Sequence, residues 1–130
     1  MSAKLDDLIH VLRDSDDAEA LAAAATQLHN SATPGDLGRL MELLQDDDFF
    51  VREAAAWPVS ELAGPAALRE LLVAYQRGFD DGHDNDGFTT ALVALVERKK
   101  AVSRDVLQDL ADDVDPAMRE NAIWLLEFCR

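Results

Sequence analysis

Apolar residues recur along this chain at intervals of three and four. Leu5, Leu8, Ile9 and Leu12 form one stripe, and Leu37, Leu40, Met41 and Leu44 another. Leu68, Leu71, Leu72 and Tyr75, then Phe88, Ala91, Leu92, Leu95 and Val96, then Val106, Leu107 and Leu110 continue the pattern. Such spacing places side chains on one face of an α-helix, and no stretch shows the alternation of a half-buried strand. Punctuation falls between the stripes. Asp14-Ser15-Asp16-Asp17 stops a helix over 3–13, and Asp16 followed by Glu19 reads as a capping-box start for a helix over 17–29. The small side chains of that second helix, Ala20 to Ala25, would let a neighbouring helix approach closely.

Thr33 can cap a third helix, with Pro34 at its first position. A fourth runs to about Ala63 and carries Pro58, which removes a backbone donor and crowds the Ala54 carbonyl, so a bend is expected. Gly64-Pro65 closes it and opens a fifth, which frays at Arg77-Gly78. The longest loop is then Phe79 to Gly87, with a helix cap expected at Asp84 or Asp86. Arg98-Lys99-Lys100 suits the C-terminus of the sixth helix, and Asp115-Pro116 is a strong start for the eighth. The chain therefore reads as all-α, about eight helices in four antiparallel pairs over 3–30, 34–63, 65–98 and 103–129. Acidic turns inside the pairs begin at 14, 46, 80 and 112, a period of roughly 33 residues, which predicts a short solenoid in a single repeat domain.

An internal repeat supports that period. Asp48, Arg52, Glu53, Ala55 and Trp57 return in register as Asp115, Arg119, Glu120, Ala122 and Trp124. The segments Asp48-x-x-Val51-Arg52 and Asp115-x-x-Met118-Arg119 resemble HEAT-like repeats (HEAT/armadillo type), the likeness being best over 37–64 and 104–129. The resemblance implies a right-handed α-α superhelix with a concave face lined by the second helices, serving as scaffold or adaptor. It also implies that Asp48, Arg52, Asp115 and Arg119 form a structural ladder, pairing between neighbouring units. Some such proteins are lyases acting on bilin pigments, and others are DNA glycosylases that use basic, aromatic surfaces.

Charge narrows the choice of partner. Twelve basic residues against 26 acidic ones give −14, which excludes direct nucleic-acid binding and anionic membranes and favours a protein partner with a basic surface. Half of the acids sit in the intra-pair turns. One Asp per turn is explained as a cap, but three or four together repel. Stacked in register, the turns would make one negative edge, with Asp46, Asp47, Asp80, Asp81, Asp84, Asp86, Asp112 and Asp113 as partner-binding residues. Trp57 and Trp124 sit beside the core stripe, either packed between repeats or serving as aromatic anchors on the concave face. The last helix has no repeat beyond it and could pair with a second copy.

The loop around Asp81, His83, Asp84 and Asp86 invites a cation. The EF-hand template fails there, because Gly87 at its sixth position puts Gly82 and Val93 where acids belong. No cofactor is expected, and no nucleophile elbow, phosphate loop or zinc-protease motif appears. Cys129 stands alone, so no internal disulfide is possible. With no apolar leader near the N-terminus, the expectation is a cytoplasmic protein. The sequence thus predicts a non-enzymatic adaptor, scaffold or inhibitor, with a lyase-like or metal-dependent enzyme built on the 80–87 loop as the alternative.

Overall fold

The computed structural model describes residues 2–130, with side chains from Lys4 onward. Its helices are α1 (Ser2–Asp14), α2 (Ala18–Ser31), α3 (Leu37–Leu43), α4 (Phe49–Leu62), α5 (Leu68–Asp80), α6 (Asp86–Arg98), α7 (Lys100–Leu110) and α8 (Pro116–Leu126). Short 3-10 turns lead into α3 (Pro34–Asp36) and α5 (Gly64–Ala67) and follow α8 (Glu127–Cys129). No strand occurs among the described residues.

Aspartates start three of the second helices. Asp17, Asp48 and Asp115 each hold an extended backbone and accept a hydrogen bond from an amide two residues on. Those amides are otherwise orphans of the helix N-terminus. The cap of α2 is thus Asp17, not Asp16, because Asp17 is the last extended residue before the helix. Thr33 opens the turn into α3, and the buried Asp36 carboxylate reaches back to accept from the Thr33 amide (2.9 Å). Gly64, at φ 64°, closes α4 as expected.

The α5–α6 corner departs from expectation. α5 does not fray at Gly78 but runs to Asp80, and Asp86 and Gly87 belong to α6, so the loop shrinks to 81–85. The His83 amide bonds the Gly78 carbonyl and the Gly82 amide bonds that of Phe79, a Schellman closure in which Gly82 (φ 80°) is the helix-ending glycine. Gly78 is a contact residue instead. Asn85, 4% exposed, lies across it and donates Nδ2 to the Tyr75 carbonyl (2.7 Å). The cap before α6 is Asn85 by position, while Asp84 accepts from the Asp86 amide at 3.0 Å. Likewise α7 begins at Lys100 and not near 103, with Lys99 alone between it and the end of α6.

α4 is the hub. It packs against α1, α2, α3, α5 and α6. Ala54, Ala55, Ala56 and Val59 are almost fully buried, and their small size lets five neighbours close around one helix. The helix continues through Pro58 without interruption. α2, α4 and α6 lie side by side, so the second helices form one layer of a helical solenoid. The last pair is less regular. α8 packs against α5 as well as α7, with Asn121 bonded to Gln76 (3.1 Å) and Trp124 stacked on Tyr75 (5.7 Å, 7° between planes).

Candidate partner-binding site

The acidic corners form a charge ladder in which Arg52 takes part as the resemblance implied, but the expected aspartates do not. Asp48 and Asp115 are caps only. Arg52, with no exposed surface, donates Nη1 to the carbonyls of Asp46 (2.9 Å) and Asp47 (3.0 Å) and Nη2 to Asp81 of the next repeat (3.2 Å). Arg119 repeats the first half of this arrangement, donating to the Asp113 (2.9 Å) and Val114 (3.1 Å) carbonyls. Between repeats, Arg13 pairs with Asp46, Arg77 with Asp47 (3.0 Å) and Arg69 with Asp113 (2.8 Å). Burial pushes the Asp46 carboxyl up, but the Arg13 guanidinium and the Asp48 amide outweigh it and hold the acid below its ordinary range. The Asp115 amide and Arg69 hold Asp113 down likewise.

The first three corners are thus stitched in sequence. The fourth is not in line with them, because Arg69, the partner of Asp113, lies in the first turn of α5, at the end away from the third corner. Asp115 lines a groove along that helix with Leu72, Val73 and Gln76, and the groove reaches Arg77 and Asp80 at the third corner. α7 is shorter than α5, so its closing turn is set back.

This geometry sorts the predicted edge. Asp46, Asp47, Asp81 and Asp113 are engaged by the chain's own arginines. Asp80 lies on α5 and accepts from Gln76 (3.0 Å), Asp112 is exposed, and Asp84 and Asp86 stand at the head of α6. The residues suggested for a cation are divided between roles. Asp81 belongs to Arg52 and Arg77, and His83 stacks on Phe49 (4.2 Å, 8°). Among the described residues no three of His, Cys, Asp and Glu gather as metal ligands would. Trp124 is committed to packing against Tyr75 and Phe128. Ile123 is exposed on α8, and a single exposed aliphatic residue requires no partner.

Trp57 is different. From Phe50 to Glu61, the positions of α4 that escape burial are Phe50, Glu53, Trp57 and Glu61, one stripe at helical spacing. Opposite them α2 presents Ala18, Leu21, Ala22 and Ala25. Between the two helices lies a groove of about 310 Å³ floored by Leu12 and Ala54 and walled by Phe50, Glu53 and Trp57. Of the alanines of α2 that were expected to admit a neighbouring helix, Ala22 and Ala25 line this groove. Ala24 is buried, whereas Ala18 and Ala22 are exposed. At one end, a recess of about 330 Å³ continues past Phe49, Phe50 and Glu53 to His83, Asp84, Asp86 and Gly87. At the other, His29 lies 5.8 Å from the Trp57 ring and bonds Glu61.

Glu53 escaped the sequence reading because it lay inside the repeated motif and was absorbed by it. The helical wheel from Phe50 through Glu53 to Trp57 was the available signal. Burial, then Asp84 and Asp86, push the Glu53 carboxyl above its ordinary range.

No helix of the described chain is long and apolar enough to cross a membrane. No characterised protein and no solved structure matches the chain. The family model for HEAT repeats matches residues 5–82, which takes in the first pair as well as 37–64. The 104–129 segment lies beyond that match and is tied to it by geometry, since Arg119 holds the carbonyls before its helix as Arg52 does. HEAT repeats are in general protein-interaction modules. With more than half of its length matched and its helices stacked in pairs, the chain belongs to the HEAT repeat family.

Proposed function

We propose that this protein is a non-enzymatic interaction module, an adaptor, scaffold or inhibitor, that holds a protein partner on its second-helix layer. The observation that carries this reading is the groove between α2 and α4, where Phe50 is 44% exposed and Trp57 partly so above an apolar floor. The other apolar residues of α4 up to Val59 are buried, so the hub helix offers an aromatic pair to solvent at one place. Aromatic side chains in a concave apolar setting are the usual anchors of a protein interface. The acidic contribution to binding comes from the groove's own end, Glu53 with Asp84 and Asp86, more than from the corner residues that the arginines already engage.

The test is affinity capture from the native host with the wild-type chain, Phe50→Ser/Trp57→Ser, and Val73→Ser/Ile123→Ser as a control altered on other faces. The reading requires a partner recovered by the wild type and the control but reduced at least tenfold by the groove variant. Equal recovery by all three overturns it.

A further inference from the structure

We propose that the occupant of the α2–α4 groove is a helical segment that carries an arginine beside its apolar face, the guanidinium seating among Glu53, Asp84 and Asp86. This inference rests on the interaction reading above and specifies the chemistry of the partner.

Charge complementarity is the first argument. The chain matches its own corner acids with arginines: Arg13 with Asp46, Arg77 with Asp47, Arg52 with Asp81 and Arg69 with Asp113. Among the described residues, Glu53, Asp84 and Asp86 receive no such partner, although these four acids of the second, third and fourth corners do. Glu53 lies against Gly87. A Cβ on Gly87 would stand 2.8 Å from its Cδ, so the side chain lies flat on the first turn of α6. The like-charge neighbours Asp84 and Asp86, which help to raise its proton affinity, also favour an arriving cation.

Shape is the second argument. Ala18, Ala22 and Ala25 follow one another at helical spacing along one wall. On that wall only Leu21 extends beyond Cβ, so a helix can come close over the alanines, and it satisfies its own backbone hydrogen bonds while doing so. The far wall then receives its apolar residues at Phe50 and Trp57. Glu53 lines both the groove and the recess, so an apolar anchor and a cation one or two turns apart on one helix reach both. The recess has aromatic flanks, Phe49 stacked with His83 on one side and Phe50 on the other. A planar guanidinium fits between carboxylates and ring faces better than a compact ammonium does.

The experiment is a displayed library of helical peptides with outward positions randomised, selected on the intact chain and counter-selected on Phe50→Ser/Trp57→Ser. The expected survivors carry an apolar pair with arginine one or two turns away. They should bind Glu53→Gln/Asp84→Asn/Asp86→Asn at least tenfold more weakly than the wild type. Asn at 84 can still accept the Asp86 amide, and thermal melting checks that the triple variant is folded. Survivors without a basic residue, survivors indifferent to the triple variant, or no survivors at all each overturn the inference. Survivors lacking arginine but sensitive to Trp57 would overturn the cation alone and leave the interaction reading standing, which host capture decides separately.

Discussion

Arg52 and Asp81 join two repeats through a guanidinium that is wholly buried at one end of a 3.2 Å ion pair whose other end is half exposed. The same guanidinium closes the carbonyls of Asp46 and Asp47. Removing it leaves the Asp47 carbonyl unpaired and the Asp46 carbonyl with only a 3.3 Å bond from Arg77, and that loss outweighs the ion pair itself. Arg52→Ala should therefore cost about 3–4 kcal/mol in chemical denaturation. Asp81→Asn should cost about 1 kcal/mol, since the acid is solvated. Arg119→Ala tests the assignment from the other side. It holds the equivalent carbonyls without an acid from a following repeat and is less buried, so about 1–2 kcal/mol is expected. Equal losses at Arg52 and Arg119 would contradict this account.

Gly78 and Asn85 are also coupled. A Cβ at 78 would lie 2.8 Å from Asn85 Cγ, inside van der Waals contact. Gly78→Ala should destabilise by about 1–3 kcal/mol as an overpacking change, although it raises helix propensity. Gly38→Ala, which meets nothing within 4 Å, should instead gain up to about 0.5 kcal/mol. Combining Gly78→Ala with Asn85→Ala should recover part of the loss, read as a nonzero coupling in a double-mutant cycle.

These two sites mark what was and was not legible in the sequence. Stripes such as Leu68, Leu71, Leu72 and Tyr75 give the helices because burial of one face dictates periodicity. Asp48 and Asp115 could be recognised as starts because capping is local chemistry. Gly78 misled because a glycine late in a helix reads as its end, and only the packing of Asn85 shows that its missing side chain is needed within the helix. The acids misled for a similar reason. Thirty or so residues separate Arg13 from Asp46 and Arg52 from Asp81, so composition reported a bare negative edge where the fold had paired it. The groove was half visible: Trp57 stood out, but telling it from Trp124 required knowing that Tyr75 stacks on the latter.

Acid titration should expose the ladder. Asp46 has a folded-state pKa below its ordinary 3.8, so its pairing stabilises the fold above that pH and the contribution is lost as pH falls through the lowered value. Arg13 is partly exposed, which limits the effect to about 1 kcal/mol or less. Arg13→Ala should lower stability near neutrality and flatten its fall on the acid side. An unchanged difference between variant and wild type from pH 7 down to pH 2 would show that the pair carries none of this dependence.

Glu53 should behave in the opposite sense. Its folded-state pKa is raised above the ordinary 4.5, first by burial and then by Asp84 and Asp86, so the folded state holds the proton more tightly than the unfolded chain. Stability from this group is therefore full below pH 4.5, declines as pH rises from there through the folded pKa, and stays reduced at neutrality. Glu53→Gln removes the charge while keeping the shape. It should raise neutral-pH stability by on the order of 0.5 kcal/mol, allowing for partial solvent access, and its advantage should vanish in acid. Adding Asp84→Asn and Asp86→Asn to the wild type should reproduce a smaller part of that gain without touching Glu53, because burial is the larger cause and the neighbours supply the rest. Denaturant midpoints at pH 7 and pH 4 for the three proteins decide it. A destabilising Glu53→Gln at pH 7 would mean that the carboxylate is already satisfied within the chain, leaving no charge deficit at the groove's end for a partner to fill.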